Sequence, residues 1–327
     1  MKLSFAPLEG LTGEVYRRAH AEFFGGADRY YAPFFSPSSI GLSEKQRREV
    51  DAAQAAGEST VFQLLTKNPT DFLTSAAQLS ARGCTEVNLN IGCPSGTVTA
   101  KGKGAGALRD PDALDSFFDA IFGGLSTVAP TLAVSVKTRV GYESEALLPA
   151  LMEVFNRYPI AELIVHPRLR SDIYRGKPRM EAFGYCVAES RAPVAYNGDI
   201  FTAEDCRAVC AAYPSVSHIL CGRGAMADPA LFSAIRGEVL SPAEKKERLR
   251  AMHDRILEDN RRLMGDGRNL LCRMADIWNY QIYLFDTDPR AASAIRRAAT
   301  LSEYRAAVAT LFRERALLPD GAYKPRE

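Results

Sequence analysis

Short apolar runs alternate with longer amphipathic stretches through the first two thirds of this chain. The runs at residues 3–6, 29–34, 60–65, 85–91, 132–138, 161–166, 193–197 and 217–221 have the length and composition of buried strands, and helical spacing fills the intervals. Eight such units predict an α/β fold, a parallel (β/α)8 TIM barrel. Helix starts support this. Asn68-Pro69-Thr70 and Asp110-Pro111-Asp112 each set a capping side chain before a proline at the first helical position. Asp228-Pro229 has the same form and predicts a short helix beginning there. Beyond residues 236–242 no strand-like run follows. Leu249, Met252, Ile256 and Leu263, then Leu270, Met274, Ile277, Trp278 and Ile282, then Leu301, Tyr304, Val308 and Leu311 repeat at helical spacing. Those stripes are expected to be the core of a small helical bundle. The expected division is a barrel at 1–236, an all-helical domain at 243–318 and a frayed tail at 319–327.

Composition narrows the class. At 327 residues with 46% apolar content, the chain can bury a full barrel core and an appendage. No run approaches the roughly 20 apolar residues of a membrane span, and the N-terminus opens directly on a strand without a signal peptide. The cysteines at 84, 93, 186, 206, 210, 221 and 272 lack Cys-x-x-Cys spacing, so neither a metal site nor a disulfide framework is expected, and a reducing cytoplasm fits. Net charge is +2, but residues 244–327 hold 17 Lys and Arg against 13 Asp and Glu, leaving −2 on the rest. A basic tail on a slightly acidic body suggests an anionic partner, although an ordinary solvated helical surface has the same signature.

In a barrel the chemistry gathers at the C-terminal ends of the strands. The run Asn88-Leu89-Asn90-Ile91-Gly92-Cys93-Pro94 puts amides and a thiol there, with Val87, Leu89 and Ile91 alternating against Asn88 and Asn90. A thiol on a Pro-stiffened turn can donate a proton to a bound substrate. The segment Lys101–Gly106 then reads as a mobile, basic, Gly-rich loop. Polar residues sit at the other strand ends as well: Pro7-Leu8-Glu9, Gln63, Lys137-Thr138-Arg139, His166-Pro167-Arg168, Asn197-Gly198-Asp199 and Gly222-Arg223-Gly224. Gly198, Gly222 and Gly224 let backbone N–H groups approach an anion and Arg223 adds charge, which is the form of a barrel phosphate site. Lys137 admits two roles, a Schiff-base nucleophile or a fixed cation beside the N1/C2=O edge of a flavin. Gln63, Asn90 and His166, as hydrogen-bonding partners for a planar heterocycle, fit the second; His166 could equally be a satisfied rim histidine.

These motifs, in this order and across most of the chain, resemble the tRNA-dihydrouridine synthases: Ala6-Pro7-Leu8-Glu9-Gly10, Gln63-Leu64, the Asn88–Pro94 run, Gly104-Ala105-Gly106, Lys137-Thr138-Arg139, Asn197-Gly198-Asp199-Ile200 and Gly222-Arg223-Gly224-Ala225. The resemblance implies an FMN enzyme that uses NADPH (or NADH) to reduce particular uridines in tRNA, with the helical tail as the tRNA-binding domain. It implies that Pro7, Leu8 and Glu9 line the flavin, with Gln63 and Lys137 at its polar edge and His166 nearby. Asn197, Gly198, Asp199, Gly222 and Arg223 would hold the phosphate. Asn90 and Arg139 would face the uracil, Lys101 and Arg168 would meet the substrate, and Cys93 would be the general acid, giving a proton to C5 as hydride reaches C6 from flavin N5. No membrane, metal or obligate oligomer is implied, so a monomer is expected.

Three positions depart from the family pattern. Leu8 replaces a usual Met, His166-Pro167-Arg168 replaces His-Gly-Arg, and Gly96 stands where many members carry a Lys, with Lys101 or Lys103 left to supply that charge. The rival readings are an FMN barrel reductase acting on a free pyrimidine, as dihydroorotate dehydrogenases do, a lyase with Lys137 as Schiff-base former, and an RNA-binding protein without catalysis. The basic helical tail favours RNA over a free pyrimidine.

Overall fold

A computed structural model of the protein describes residues 1–318 and Tyr323; the expected frayed tail at 319–327 otherwise lies outside the described residues. Eight parallel strands close into a barrel in chain order. They are β1 (Lys2–Phe5), β2 (Arg29–Tyr31), β3 (Thr60–Leu64), β4 (Glu86–Ile91), β5 (Ala133–Gly141), β6 (Glu162–Leu169), β7 (Val194–Tyr196) and β8 (His218–Cys221). Every expected strand is present, and the (β/α)8 reading holds. β5 and β6 run further than expected, through Arg139 and Pro167, with a register shift between Arg139 and Gly141. Pro167 is tolerated because its carbonyl, the only backbone hydrogen-bonding group it has, accepts from Arg179 N at 2.6 Å.

Strand alternation decides what fills the barrel. Leu3, Phe5, Phe62, Val87, Leu89, Val134 and Val136 join the large cluster beneath the surrounding helices. The opposite faces supply a small apolar plug of Ala6, Tyr31, Val61, Ile164, Ala195 and Leu220. The remaining inward positions are polar. Ser4 and His218 bond each other at 2.7 Å, His218 meets Glu162 at 2.8 Å, and Arg29 pairs with Glu86. These pairings offset the cost of burying polar groups in the barrel interior; the Tyr31 hydroxyl is buried there without a partner.

Asn68 and Asp110 cap the helices Pro69–Ser80 and Pro111–Val128 as expected, accepting backbone N–H bonds from Thr70 and Ala113 at 2.8 and 3.0 Å. Asp228 departs from expectation. It terminates the short helix Arg223–Ala227, which begins directly after Gly222, and the next helix, Leu231–Ile235, starts later. The Asp228 carboxylate accepts the Ala230 N–H through Oδ1 at 3.0 Å and meets Lys245 Nζ through Oδ2 at 2.5 Å, tying the barrel to the following helix.

That helix, Pro242–Met264, opens on a Ser241 capping box and packs against Glu14–Phe23 of the barrel layer. Arg268–Gln281, Ala292–Arg297 and Leu301–Glu314 complete the helical portion. Its centre is Trp278, whose indole N–H donates to Tyr304 Oη at 2.9 Å, with His253 Nε2 2.8 Å from the same oxygen. The hydrophobic stripes are core with one exception. Leu263 is 71% exposed, because the helix runs one turn past the surface it covers before stopping at Gly265.

Candidate active site

β4 ends at Ile91, and the chain then turns through Gly92 to present Cys93. Two bonds shape the turn: Asn90 Oδ1 accepts the N–H groups of Gly92 at 3.0 Å and Cys93 at 2.9 Å. Arg139 Nε donates to the Gly92 carbonyl at 3.0 Å. Behind the turn lies the segment Gly104–Arg109, whose Ala105 N–H bonds the Cys93 carbonyl at 3.0 Å. A Cβ at Gly104 would stand 2.9 Å from that carbonyl, and one at Gly106 only 2.7 Å from Thr99 O. The expectation of a mobile Gly-rich loop is therefore corrected. Its glycines permit close packing, and Gly104, Ala105 and Gly106 are buried in a 3-10 helix. Lys101 remains exposed on the preceding turn.

Cys93 is partly accessible, and burial pushes its thiol up against the opposing pull of the Ser95 amide, Arg139 and Lys137. A thiol held above its ordinary value stays protonated near neutrality, the form a proton donor needs. Lys137 has the opposite problem. Desolvation, helped by Arg139, pulls its pKa down to about 7, and among the described residues no carboxylate pairs with it. Burial and the cations Arg139, Lys137, Arg168 and Arg223 hold His166 well below its ordinary value, and its Nε2 lies 3.2 Å from Arg168 Nη1. A guanidinium can only donate, so His166 accepts there and is neutral.

Two expected substrate contacts are engaged inside the protein. Arg168 is fully buried; it grips both oxygens of Asp199 at 3.0 and 2.6 Å and the Gly176 carbonyl at 2.6 Å. Its visible work is to orient Asp199. Arg139, 2% exposed, spends three N–H groups on the carbonyls of Gly92, Leu169 and Ile173. Its visible task is to brace the Cys93 turn.

Ala6, Pro7, Leu8, Lys137, His166, Tyr174, Asn197, Gly198, Asp199, Gly222 and Arg223 line one narrow recess of about 50 Å³, open to solvent at its mouth. It thus unites nearly all the expected cofactor residues. Gly198 and Gly224 are required by packing, since a Cβ would lie 2.0 Å from Tyr196 Oη and 1.9 Å from Ile200 O. Gly222 is not: its Cβ would meet only Ala6 and Leu8, at 3.6 Å, and would take up the recess itself. Asn197 donates to Leu220 O at 3.0 Å, which fixes its other polar atom at the rim. Glu9 stands outside the recess lining, near Arg273, its carboxyl raised by desolvation.

Charge tests whether FMN fits. Arg168 and Arg223 share the single carboxylate Asp199, so that end of the recess keeps one net positive charge. Lys137, with no carboxylate to offset it among the described residues, stands ready to take up a proton beside an anion at the other. An anion with a phosphate at one end and a polar ring edge at the other matches both. The apolar wall of Ala6, Pro7 and Leu8 suits a ring face.

Residues outside the expected site set also stand at the mouth, among them Tyr174 and Arg170, which continue the family pattern after His166-Pro167-Arg168. Tyr174 lies between His166, Arg139 and Arg223, its ring 6.1, 5.6 and 4.7 Å from their centres. Ile173, the one non-glycine residue with positive φ among those described, precedes it. Arg109 lies 3.9 Å above the Tyr142 ring, and Arg170 5.2 Å from it. A side chain at Gly96 would point toward Arg170 Nη2, so Arg170, ahead of Lys101 or Lys103, carries the positive charge there. In the tail, Arg250, Arg255, Arg261 and Arg262 are paired with carboxylates. The charge excess therefore falls on arginines such as Arg268, Arg296 and Arg297, which pair with no carboxylate among the described residues.

Comparison with known proteins bears on this site. The family model described as dihydrouridine synthase (Dus) matches residues 4–277. A protein of Ralstonia nicotianae named tRNA-dihydrouridine(16) synthase is 30% identical over 73% of this chain and 73% of its own length. One of that name from Pseudomonas syringae pv. tomato is 28% identical over 82% and 87%. Among solved structures, morphinone reductase superposes with a TM-score of 0.54 at 12% identity, covering 75% of this chain and 88% of its own. Histamine dehydrogenase from Rhizobium sp. 4-9 gives 0.57 at 13%, covering 72% and 46%. At such identities the structural likeness speaks for the barrel alone.

Proposed function

The chain belongs to the dihydrouridine synthase family, and on that premise we propose how its own residues carry out flavin-dependent reduction of uridine to 5,6-dihydrouridine in tRNA. The observation that carries the assignment is one thiol, raised and protonated, fixed at the end of β4 near Lys137, which has no carboxylate partner among the described residues, and near a recess whose far end keeps a net positive charge. FMN, when bound, would supply the hydride that reaches uracil C6. Arg223 with Gly222 and Gly198 holds its phosphate, Asp199 orients Arg223, and Pro7 and Leu8 bound the ring. Lys137 and Gln63 meet its polar edge, with neutral His166 alongside. Asn90 holds the uracil, and Cys93 Sγ–H gives its proton to C5 as charge builds there, a contribution worth about 10²–10⁴-fold.

NADPH, or NADH, is the proposed reductant. The helical residues 243–318 are the proposed tRNA-gripping unit, acting with Lys101 and Arg170 at the rim; the target base must leave its stack to enter so narrow a recess. The relatives named for position 16 make that uridine the first to map. No helix among the described residues is long and apolar enough to cross a membrane, and a cytoplasmic monomer is proposed.

Cys93→Ala separates this from a free-pyrimidine reductase and from a lyase. The variant should bind FMN normally yet lose dihydrouridine formation on tRNA by at least 10²-fold. Unchanged turnover on tRNA would remove the thiol from the chemistry, and turnover on free uracil or orotate alone would favour the free-pyrimidine enzyme.

A further inference from the structure

One file of hydrogen bonds climbs the inner wall of the barrel from floor to mouth. β4 turns Glu86, Asn88 and Asn90 inward at alternate positions, with Gln63 of β3 and Ser135 of β5 in register beside Asn88. Ser135 Oγ donates to Glu86 Oε1 at 2.7 Å, and Asn88 Nδ2 donates to Ser135 Oγ at 2.8 Å. Gln63 Nε2 donates to Asn88 Oδ1 at 2.7 Å, and Asn90 Nδ2 to Gln63 Oε1 at 2.7 Å. Asn90 Oδ1 then takes the Gly92 and Cys93 N–H groups.

Every link donates toward the floor, and both ends explain why. Glu86, paired with Arg29, is a carboxylate and can only accept. Ser135 must therefore spend its proton on Glu86 and accept from Asn88, which turns the Asn88 oxygen toward Gln63 and the Gln63 oxygen toward Asn90. At the mouth, backbone N–H groups can only donate, which demands the same orientation. Asn90 Oδ1 is thereby filled twice, so the second N–H of its amide is the polar group left for a ligand.

We propose that Glu86, Ser135 and Asn88 are positioning residues that act through this file, holding the Cys93 turn and making Asn90 an obligate donor. Asn90 then pairs with a carbonyl oxygen of the substrate ring and rejects a ring edge that presents N–H in that place. The role rests on the function proposed above for the same site.

Moving the carboxylate tests it. Arg29 and Ser135 each donate to a different Glu86 oxygen, and Glu86→Gln turns one of those oxygens into an NH2 donor, so one bond is lost or the file reverses against the backbone N–H groups. In Glu86→Gln with Asn88→Asp every group is satisfied again: Gln at 86 accepts from Arg29 and donates to Ser135, and Ser135 donates to Asp at 88, which also accepts from Gln63. In purified flavin-loaded enzyme, Glu86→Gln should lower kcat/KM on tRNA by about ten- to a hundredfold, mainly in kcat, and change the pH profile of iodoacetamide alkylation at Cys93, followed by peptide mass spectrometry. The double variant should restore both within about threefold, roughly what a residual 0.65 kcal/mol would allow. Asn88→Asp alone sets two acceptor-only carboxylates on the single Ser135 proton and should lower kcat/KM to a similar degree, with rescue again by the double variant, which keeps the test open should Glu86→Gln fail to fold. A Glu86 that served only to pair Arg29 could not be rescued from position 88, so an unrescued loss, or no loss at all, overturns the proposal. Alkylation reads the turn without catalysis: a wild-type protein inactive on tRNA would sink the proposed function while the Cys93 profiles still judge the file.

Discussion

Lys137→Met should stabilise the flavin-free protein while crippling its use of flavin. The native ammonium is pulled from 10.5 to about 7 by burial and by Arg139, with no carboxylate to offset it among the described residues. At 1.36 kcal/mol per pH unit that fall corresponds to about 5 kcal/mol against the charged form, and water in the recess should reduce it to a few. The sign follows from proton counting. Below pH 7 both folded and unfolded chains hold the proton, and the penalty is fully present. Between pH 7 and 10.5 the unfolded chain keeps a proton that the folded one has shed, so this group makes stability rise with pH. Denaturant unfolding of flavin-free wild type and Lys137→Met across pH 6–10 should give curves that converge with rising pH, the variant being a few kcal/mol more stable at pH 6–7. Calorimetry of FMN binding at pH 8 in buffers of different ionisation enthalpy should show uptake of close to one proton by wild type, as the anion recharges Lys137, and close to none by the variant. Parallel unfolding curves together with equal proton uptake would refute the assignment.

Other perturbations test other parts of the molecule. Gly106→Ala forces a Cβ to 2.7 Å from Thr99 O and should shift the segment behind Cys93, lowering turnover more than flavin content measured by absorbance. Trp278→Ala should cost about 3–5 kcal/mol in chemical denaturation, and unfolding of the helical portion should precede that of the barrel. Arg296→Gln with Arg297→Gln should weaken tRNA binding evenly across sequences and lower its salt slope by roughly one for each phosphate no longer neutralised, whereas the same change at Arg261 and Arg262, already paired with Glu258, should do little. Asp199→Asn should loosen FMN, since Arg168 and Arg223 then lose their common carboxylate.

Much of this protein was legible in one dimension. Alternating apolar runs are enough to specify eight buried strands, because a parallel strand covered on both faces must be apolar on its helix side whatever its neighbours are. The Asn-Pro and Asp-Pro starts marked two helices through purely local bonding, and the Asn-x-Gly-Cys-Pro turn with its ring of strand-end polar residues announced the site and its family. The third proline start misled because the chain first closes a turn from Asp228 to Leu231 before the helix begins, and Leu263 because periodicity does not say where a helix outruns its core. Whether a polar side chain faces a ligand or a neighbour also depends on pairings far apart along the chain. Arg168 and Arg139, which read as substrate contacts, are occupied by Asp199 and by carbonyls across a loop. The direction of the amides from Glu86 to Asn90 required strand pairing, since only the register of β3, β4 and β5 side by side lets a carboxylate at the floor orient an amide at the mouth. Strand identity and the kind of chemistry are local properties of the chain; the protonation of Lys137 and the polarity of Asn90 arise from desolvation and long-range pairing, which exist only once the barrel has closed.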